Sequence, residues 1–199
     1  MLTIAIQAGG ESRRMGQDKG LMPFLGQPLI QRVVTRLSEM ADETIITTNQ
    51  PGSYAFLGLP LFADARPGRG ALGGLYTAFS NASQALVAVV ACDMPFANPS
   101  LLAYQVRVLQ EESADVVVPL LAEGYEPLHA VYRRETCLPA VEQALDGDRW
   151  KLISWFSDVK VRTLTAEECR QHDPQGLAFV NVNTPEELAE AESAARRGA

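Results

Sequence analysis

The sequence predicts an α/β protein with a mostly parallel central sheet and helices on both faces. Three observations carry that expectation. Strand-like apolar runs alternate with helical repeats through the first half of the chain, the pattern of a parallel sheet with crossover helices. Residues 85–91, Ala-Leu-Val-Ala-Val-Val-Ala, are apolar on both faces, as a strand covered on both sides requires. Glycine-rich or acidic segments follow several of the strands, and open parallel sheets bind ligands beyond their carboxyl ends.

The elements follow in order. Residues 2–6 form a short apolar, β-branched strand. A loop of small and basic residues comes next, and residues 21–26 read as an extended segment or short hairpin. Pro28 suits the first turn of a helix. Leu29, Ile30, Val33, Val34 and Leu37 then recur at helical spacing as far as Met40. Residues 44–48 are a second strand, and residues 49–52 carry the turn signal Asn-Gln-Pro-Gly. Residues 59–63 are a third strand, ending on Asp64. A second glycine-rich loop, 66–74, leads into a helix over 75–79. Residues 85–91 end at Cys92-Asp93, Pro99 opens a helix to 111, and 115–119 are a fifth strand. Further on, 120–124 read as a turn and 126–132 as a strand or extended segment. Helices are expected over 133–145 and 150–156, strands over 159–164 and 179–183. Thr184-Pro-Glu-Glu187 is a capping-box start for a last helix to 195.

Composition narrows the class. A chain of 199 residues, 47% hydrophobic and 21% charged, is expected to fold as one domain, 1–199, with a single sizeable core. A net charge of −7 argues against nucleic acid or membrane surfaces as partners. Cys92, Cys137 and Cys169 are odd in number, widely spaced and lack a CxxC pair, so reduced, buried thiols are expected rather than disulfides or zinc ligands. Without a signal peptide or spanning segment in the sequence, the expected location is cytoplasmic.

The first loop carries the chemistry. After the first strand come Gln7-Ala8-Gly9-Gly10-Glu-Ser-Arg13-Arg14-Met-Gly16-Gln-Asp18-Lys19. Glycines let main-chain N–H groups approach a ligand, successive N–H groups form an anion-binding concavity, and two guanidinium groups and an ammonium add charge-assisted donors. The pattern is neither a Walker A loop nor G-x-G-x-x-G. Asp93 and Asp64 stand at strand ends. Each alone could be a cap or turn former. Beside a phosphate loop they suit a metal–triphosphate site, since Mg²⁺ takes one or two carboxylates plus phosphate oxygens. The glycines of 66–74 precede a helix, where backbone meets a base or phosphate. Arg133 and Arg134 open a helix against its dipole, which hints at an anion. Asn181 and Asn183 fall on one face of their predicted strand, for local pairing or for a polar heterocycle. His129 reads as a packed core residue, and His172, Trp150 and Trp155 carry no signal beyond packing.

These stretches resemble the molybdenum cofactor guanylyltransferases of the MobA type. The matching segments are 7–19, Asp64 with 70–74, Cys92-Asp-Met-Pro-Phe96, Glu126–Arg134, and Phe179-Val-Asn-Val-Asn-Thr-Pro-Glu-Glu-Leu188. The resemblance covers nearly the whole chain in order. It implies a three-layer Rossmann-like nucleotidyltransferase fold. The implied reaction transfers GMP from GTP to the phosphate of molybdopterin or its molybdenum form, with Mg²⁺ and release of pyrophosphate. Lys19, Arg14 and Asp93 would be the catalytic residues, with Asp93 on the metal. Gln7, Ala8, Gly9, Gly10, Lys19, Thr47, Asn49, Asp64, Gly70, Gly74 and Asp93 would line the nucleotide. Asn181, Asn183, Arg133 and Arg149 would meet the acceptor. The nucleotide would thus lie on the N-terminal half and the acceptor on the C-terminal half. Besides GTP and molybdopterin, cofactor-handling proteins and acceptor molybdoenzymes are the implied partners of a monomer or weak oligomer.

Two positions depart from the family: Gln7 stands where Leu is usual, and Thr47 where some members carry an Asn, leaving Asn49 as a nearby substitute. A molybdopterin cytidylyltransferase or a sugar-phosphate nucleotidylyltransferase would keep the chemistry and change the partners. A dinucleotide-binding oxidoreductase lacks its glycine motif here. A non-catalytic nucleotide-binding regulator would bind GTP without releasing pyrophosphate.

Overall fold

A computed structural model of the chain describes residues 1–9 and 18–198. Strand β1 (Leu2–Gln7) is buried along its whole length. Its two faces look into different layers, as period-two alternation requires. Leu2, Ile4 and Ile6 enter one apolar cluster and Ala5 enters another. Beyond the first loop, β2 (Pro23–Phe24) and β3 (Gln27–Pro28) form a hairpin. Its two turn residues, Leu25 and Gly26, have φ of 47° and 84°, the left-handed pair that tight hairpins favour.

Helix α1 (Leu29–Leu37) follows, burying Leu29, Ile30, Val33 and Leu37. A 3-10 turn over Ser38–Met40 ends it and leads to β4 (Glu43–Thr47). The short α2 (Pro51–Tyr54) has proline in its first turn, and β5 (Leu61–Phe62) is only two residues long. Helix α3 (Gly70–Asn81) begins within the second glycine-rich loop. Strand β6 (Leu86–Ala91) is fully buried. In α4 (Pro99–Glu111), Asn98 is the cap, its side chain accepting from Leu101 N at 3.1 Å. Then come β7 (Val116–Leu121), β8 (Gly124–Tyr125), β9 (His129–Arg133) and α5 (Arg134–Asp146). The chain ends with β10 (Val161–Leu164), α6 (Ala166–His172) and α7 (Pro185–Arg196). Both last helices open with complete capping boxes, Thr165 with Glu168 and Thr184 with Glu187.

The sheet runs β10-β7-β9-β6-β1-β4-β5, with β8 paired to β7. All its pairings are parallel except those made by β8 and β9. Helices cover both faces, as predicted. One apolar cluster joins β1 and β6 to α1 and α4, and the other joins them to α3 and α5. A third cluster, Phe24, Leu29, Phe96, Val182 and Ala191, seats α7 against the hairpin. Each large side chain so enclosed contributes about 1.5–3 kcal/mol.

Two local expectations differ from the structure. Residues 150–156 form turns and run into a 3-10 turn at Phe156–Asp158 rather than a helix. Trp155 is the reason: it is fully buried near Phe79 and Tyr132, and its Nε1 bonds Leu152 O at 2.9 Å. Residues 179–183 form no strand. Their alternation reports a segment with one wet and one dry side, since Val182 is buried while Asn183 is exposed. In the sheet, β9 enters between β6 and β7 and runs against both. Among the described residues no helix is long and apolar enough to cross a membrane.

Candidate functional site

The chain steps outward from β1 to β4 to β5, then returns to place β6 on the other flank of β1. Order therefore reverses between β1 and β6, and open α/β sheets bind ligands at such a reversal. Ala8 and Gly9 leave β1 there, and Cys92 and Asp93 leave β6. Two main-chain bonds carry the strands into these loops: Ala8 N to Thr47 O at 2.8 Å and Cys92 N to Gln7 O at 3.1 Å. Among the described residues, a side chain on Gly9 would meet nothing within 4 Å, so their packing does not demand glycine there. Gly10, Arg13, Arg14 and Gly16 lie outside the described residues.

The chain re-enters at Asp18, whose carboxylate caps a 3-10 turn over Lys19–Leu21. It accepts from Gly20 N at 3.1 Å and from the Tyr54 hydroxyl at 2.5 Å. A Cβ on Gly20 would stand 2.7 Å from the Tyr54 oxygen, so a side chain there would push the hydroxyl off Asp18. This turn aims Lys19 across the end of β6. Lys19 Nζ donates to Asn183 Oδ1 at 2.5 Å and lies 3.5 Å from Asp93 Oδ2. Asn183 is itself held, its N–H donating to Glu187 Oε2 at 2.6 Å. Val182 N donates to Asp93 O at 2.9 Å. Residues from β6, the first loop and the approach to α7 thus converge on one ammonium.

Burial pushes the Asp93 carboxyl above the usual carboxylate range, and the Lys19 ammonium beside it works the other way. A desolvated carboxylate beside a cation is a common mark of a functional site. Among the described residues no three acidic, His or Cys side chains gather as a ready-made metal cage. Asp93 is a single hard-oxygen ligand, and that donor set fits Mg²⁺, which completes its shell with phosphate oxygens and water.

A second group lies at the ends of β4 and β5. Asn49 and Asp64 bond each other twice, Asn49 Nδ2 to Asp64 Oδ2 at 2.7 Å and Asp64 N to Asn49 Oδ1 at 2.9 Å. Gly70 opens α3 with φ of 57°, and Arg69 before it makes no side-chain cap. No described side chain therefore occupies the first N–H groups of α3.

Gln7 has a different place from the one expected. Its side chain turns under α3 and is buried, with Nε2 donating to Ala71 O at 3.0 Å. Gly74 leaves room for it: a Cβ there would stand 2.0 Å from Gln7 Nε2. Gly74 thus admits a neighbouring side chain. Gln7 Oε1 and the hydroxyl of its strand neighbour Thr47 are buried without hydrogen-bond partners among the described residues.

Three of the expected acceptor residues, Arg133, Arg149 and Asn181, spend side-chain donors on bonds outside the Lys19–Asp93–Asn183 group. Arg133 ends β9 opposite Leu86, at the amino end of β6, and its guanidinium donates to Ala114 O at 3.1 and 3.3 Å. It serves the far edge of the sheet. Arg149 is committed to its own connection, donating to Ser154 O at 3.0 Å and to Asp158 at 2.7 Å. Asn181 Nδ2 bonds Phe179 O at 3.2 Å. Sequence reasoning missed the supporting residues Asp18 as a cap, Tyr54 and Glu187. Only the Asp-x-Gly spacing and the capping box point to them. His129 is a packed residue as expected. Burial lowers it to about 4, and Nε2 accepts from Asn98 N at 3.1 Å. That bond props the end of the loop carrying Asp93.

Comparison with known proteins agrees with this geometry. Residues 4–172 match the model of the MobA-like NTP transferase domain. The chain is 39% identical over 189 residues to a probable molybdenum cofactor guanylyltransferase of Pelotomaculum thermopropionicum, covering 95% of this chain and 91% of that one. It is 35% identical to the molybdenum cofactor guanylyltransferase of Desulfosudis oleivorans, covering 99% and 97%. Among solved structures it is similar to molybdopterin-guanine dinucleotide biosynthesis protein A from Archaeoglobus fulgidus. The TM-score there is 0.85 at 25% identity, over 98% of this chain and 99% of that one. The 2-C-methyl-D-erythritol 4-phosphate cytidylyltransferase of Thermus thermophilus shares the fold, with TM-score 0.72 at 18% identity and coverage of 97% and 98%.

Proposed function

We propose that this chain, which belongs to the MobA-like NTP transferase family, moves GMP from GTP onto the phosphate of molybdopterin and releases pyrophosphate. The observation that carries this reading is the convergence of Lys19, Asp93 and Asn183 at the β1/β6 reversal. The named relatives supply the substrates. An acceptor phosphate oxygen bonds to the α-phosphorus of GTP as the bond to the bridging β-phosphate oxygen breaks, and the electron pair leaves with pyrophosphate. No side chain has to remove a proton first, because a phosphate monoester is largely dianionic at neutral pH, with a second pKa of about 6. The neutral, buried His129 is therefore not needed as a base.

The work left to the chain is positioning and charge. Lys19 keeps Asn183 on one of its three N–H donors and turns the others from Asp93 to the phosphate oxygens, Arg14 adds a second cation, and Ala8 and Gly9 keep the strand end open beneath the phosphates. Asn49, Asp64 and the uncapped start of α3 lie where the nucleoside end would rest. Asp93 would hold Mg²⁺, which when bound neutralises charge on the phosphate oxygens. The C-terminal approach to α7 faces the acceptor.

The test is pyrophosphate release from each of the four NTPs, with and without molybdopterin, in the presence of Mg²⁺. Release from GTP that depends on molybdopterin is expected. Faster release from CTP would make the chain a cytidylyltransferase, and release only with a sugar phosphate would change the acceptor. Tight GTP binding with no pyrophosphate would leave a regulator.

A further inference from the structure

We infer that Asn183 is a positioning residue for Lys19: its side-chain oxygen fixes the ammonium beside Asp93 before any substrate arrives. This goes beyond an acceptor contact, because it gives a residue of the C-terminal segment a role in receiving the nucleotide. Lys19 has four rotatable side-chain bonds, and an unanchored ammonium would sample many positions. Its distance to Asp93, 3.5 Å, is long for a charge-assisted bond, whereas its distance to Asn183 Oδ1 is 2.5 Å. Among the described residues, Asn183 is thus a tighter anchor than Asp93. It is placed from both sides, by its own N–H on Glu187 at 2.6 Å and by Val182 N on Asp93 O at 2.9 Å. Glu187 is also half of the capping box that starts α7. The start of α7 therefore sets where the lysine of the first loop waits, and a neutral amide holds it without competing as an anion for the incoming phosphates.

The kinetic part rests on the proposed nucleotidyl transfer, and the spectroscopic part does not. The chain has three lysines, Lys19, Lys151 and Lys160, so ¹⁵N-labelled lysine ammonium signals can be assigned with Lys151→Arg and Lys160→Arg. In the nucleotide-free, metal-free protein, Lys19 is expected to give an ordered signal protected from exchange, unlike exposed Lys151. In Asn183→Ala that signal should move to the Lys151 position, at an unchanged melting temperature, and Asn183→Asp should restore its order. In the transfer reaction, Asn183→Ala should raise KM for GTP about tenfold, the weight of one charge-assisted bond. Direct GTP affinity measured without molybdopterin should weaken by the same factor. An unmoved Lys19 signal in Asn183→Ala would overturn the inference. So would unchanged GTP affinity together with a raised KM for molybdopterin, the mark of an acceptor contact only. Failure of the wild-type protein to release pyrophosphate from any NTP would sink the transfer reading instead, with the ammonium signals still deciding the role of Asn183.

Discussion

At the outer strand β10, Arg162 is gripped by two carboxylates, while at the carboxyl edge of β6, Lys19 faces one carboxylate among the described residues, at 3.5 Å. Arg162 Nε lies 3.1 Å from both oxygens of Glu112, and its other nitrogens engage Glu168 in a fork. The bonds from Arg162 hold the Glu168 carboxyl down at about 2. Asp93 moves the other way, because burial outweighs its distant lysine. Both pairs are acid with base, yet one is saturated and the other is left with unmet capacity. Saturation serves the fold. Unmet capacity is what a site needs if phosphate and metal are to be bound later.

The largest effect should come from breaking the unsaturated pair. Asp93→Asn is expected to lower guanylyl transfer at least about a thousandfold while leaving stability within about 1 kcal/mol of wild type, or slightly above it. The sign follows from linkage. A carboxyl raised in the folded state binds more protons there than in the unfolded chain, so its ionisation at higher pH penalises the fold. Transfer at the wild-type rate, or a collapse in melting temperature, would contradict the contrast with Glu168.

Next comes the strut beneath α3. Gly74→Ala should cost about 3 kcal/mol, because its Cβ would overlap Gln7. Gln7→Ala in the same chain should recover much of that loss, as chemical denaturation of the four-protein cycle would reveal. Additive effects would mean that Gln7 is not what Gly74 accommodates.

The smallest effect belongs to the saturated pair. Glu168→Gln should cost about 1 kcal/mol at neutral pH, a figure discounted for the exposure of the pair, with transfer unchanged. Because the folded Glu168 carboxyl is depressed, its contribution is fully present above about pH 4.5 and fades as pH falls toward about 2. Melting temperatures across that range should show a shallower acid decline in the variant than in the wild type.

The layers were legible because strand and helix periods are local facts. The all-apolar 85–91 run became the central β6, and Thr184–Glu187 became a true capping box. Position of β9 was not legible, since nothing in His129–Arg133 states which neighbours it pairs with or in which direction. At the site, Lys19, Asp93 and Asn183 were each visible as residues, but their meeting depends on α7 docking on the hairpin. Arg133 misled because cations at a helix start signal an anion only when no carbonyl is near, and Ala114 O is near. Gln7 was unreadable for a similar reason: its partner Ala71 is 64 residues away.

The bond between Lys19 and Asn183 spans 164 residues, and that span has a meaning for the making of the molecule. Chains are built from the N-terminus at about 5–20 residues per second, so roughly 8–33 s separate the synthesis of the two residues. For that interval the growing chain carries the basic loop and the strands beneath it but not the amide that steadies its lysine. A nascent or prematurely ended chain would then own a sheet and a loop without a poised site. Completion of the last segment is what would turn a folded scaffold into a competent enzyme.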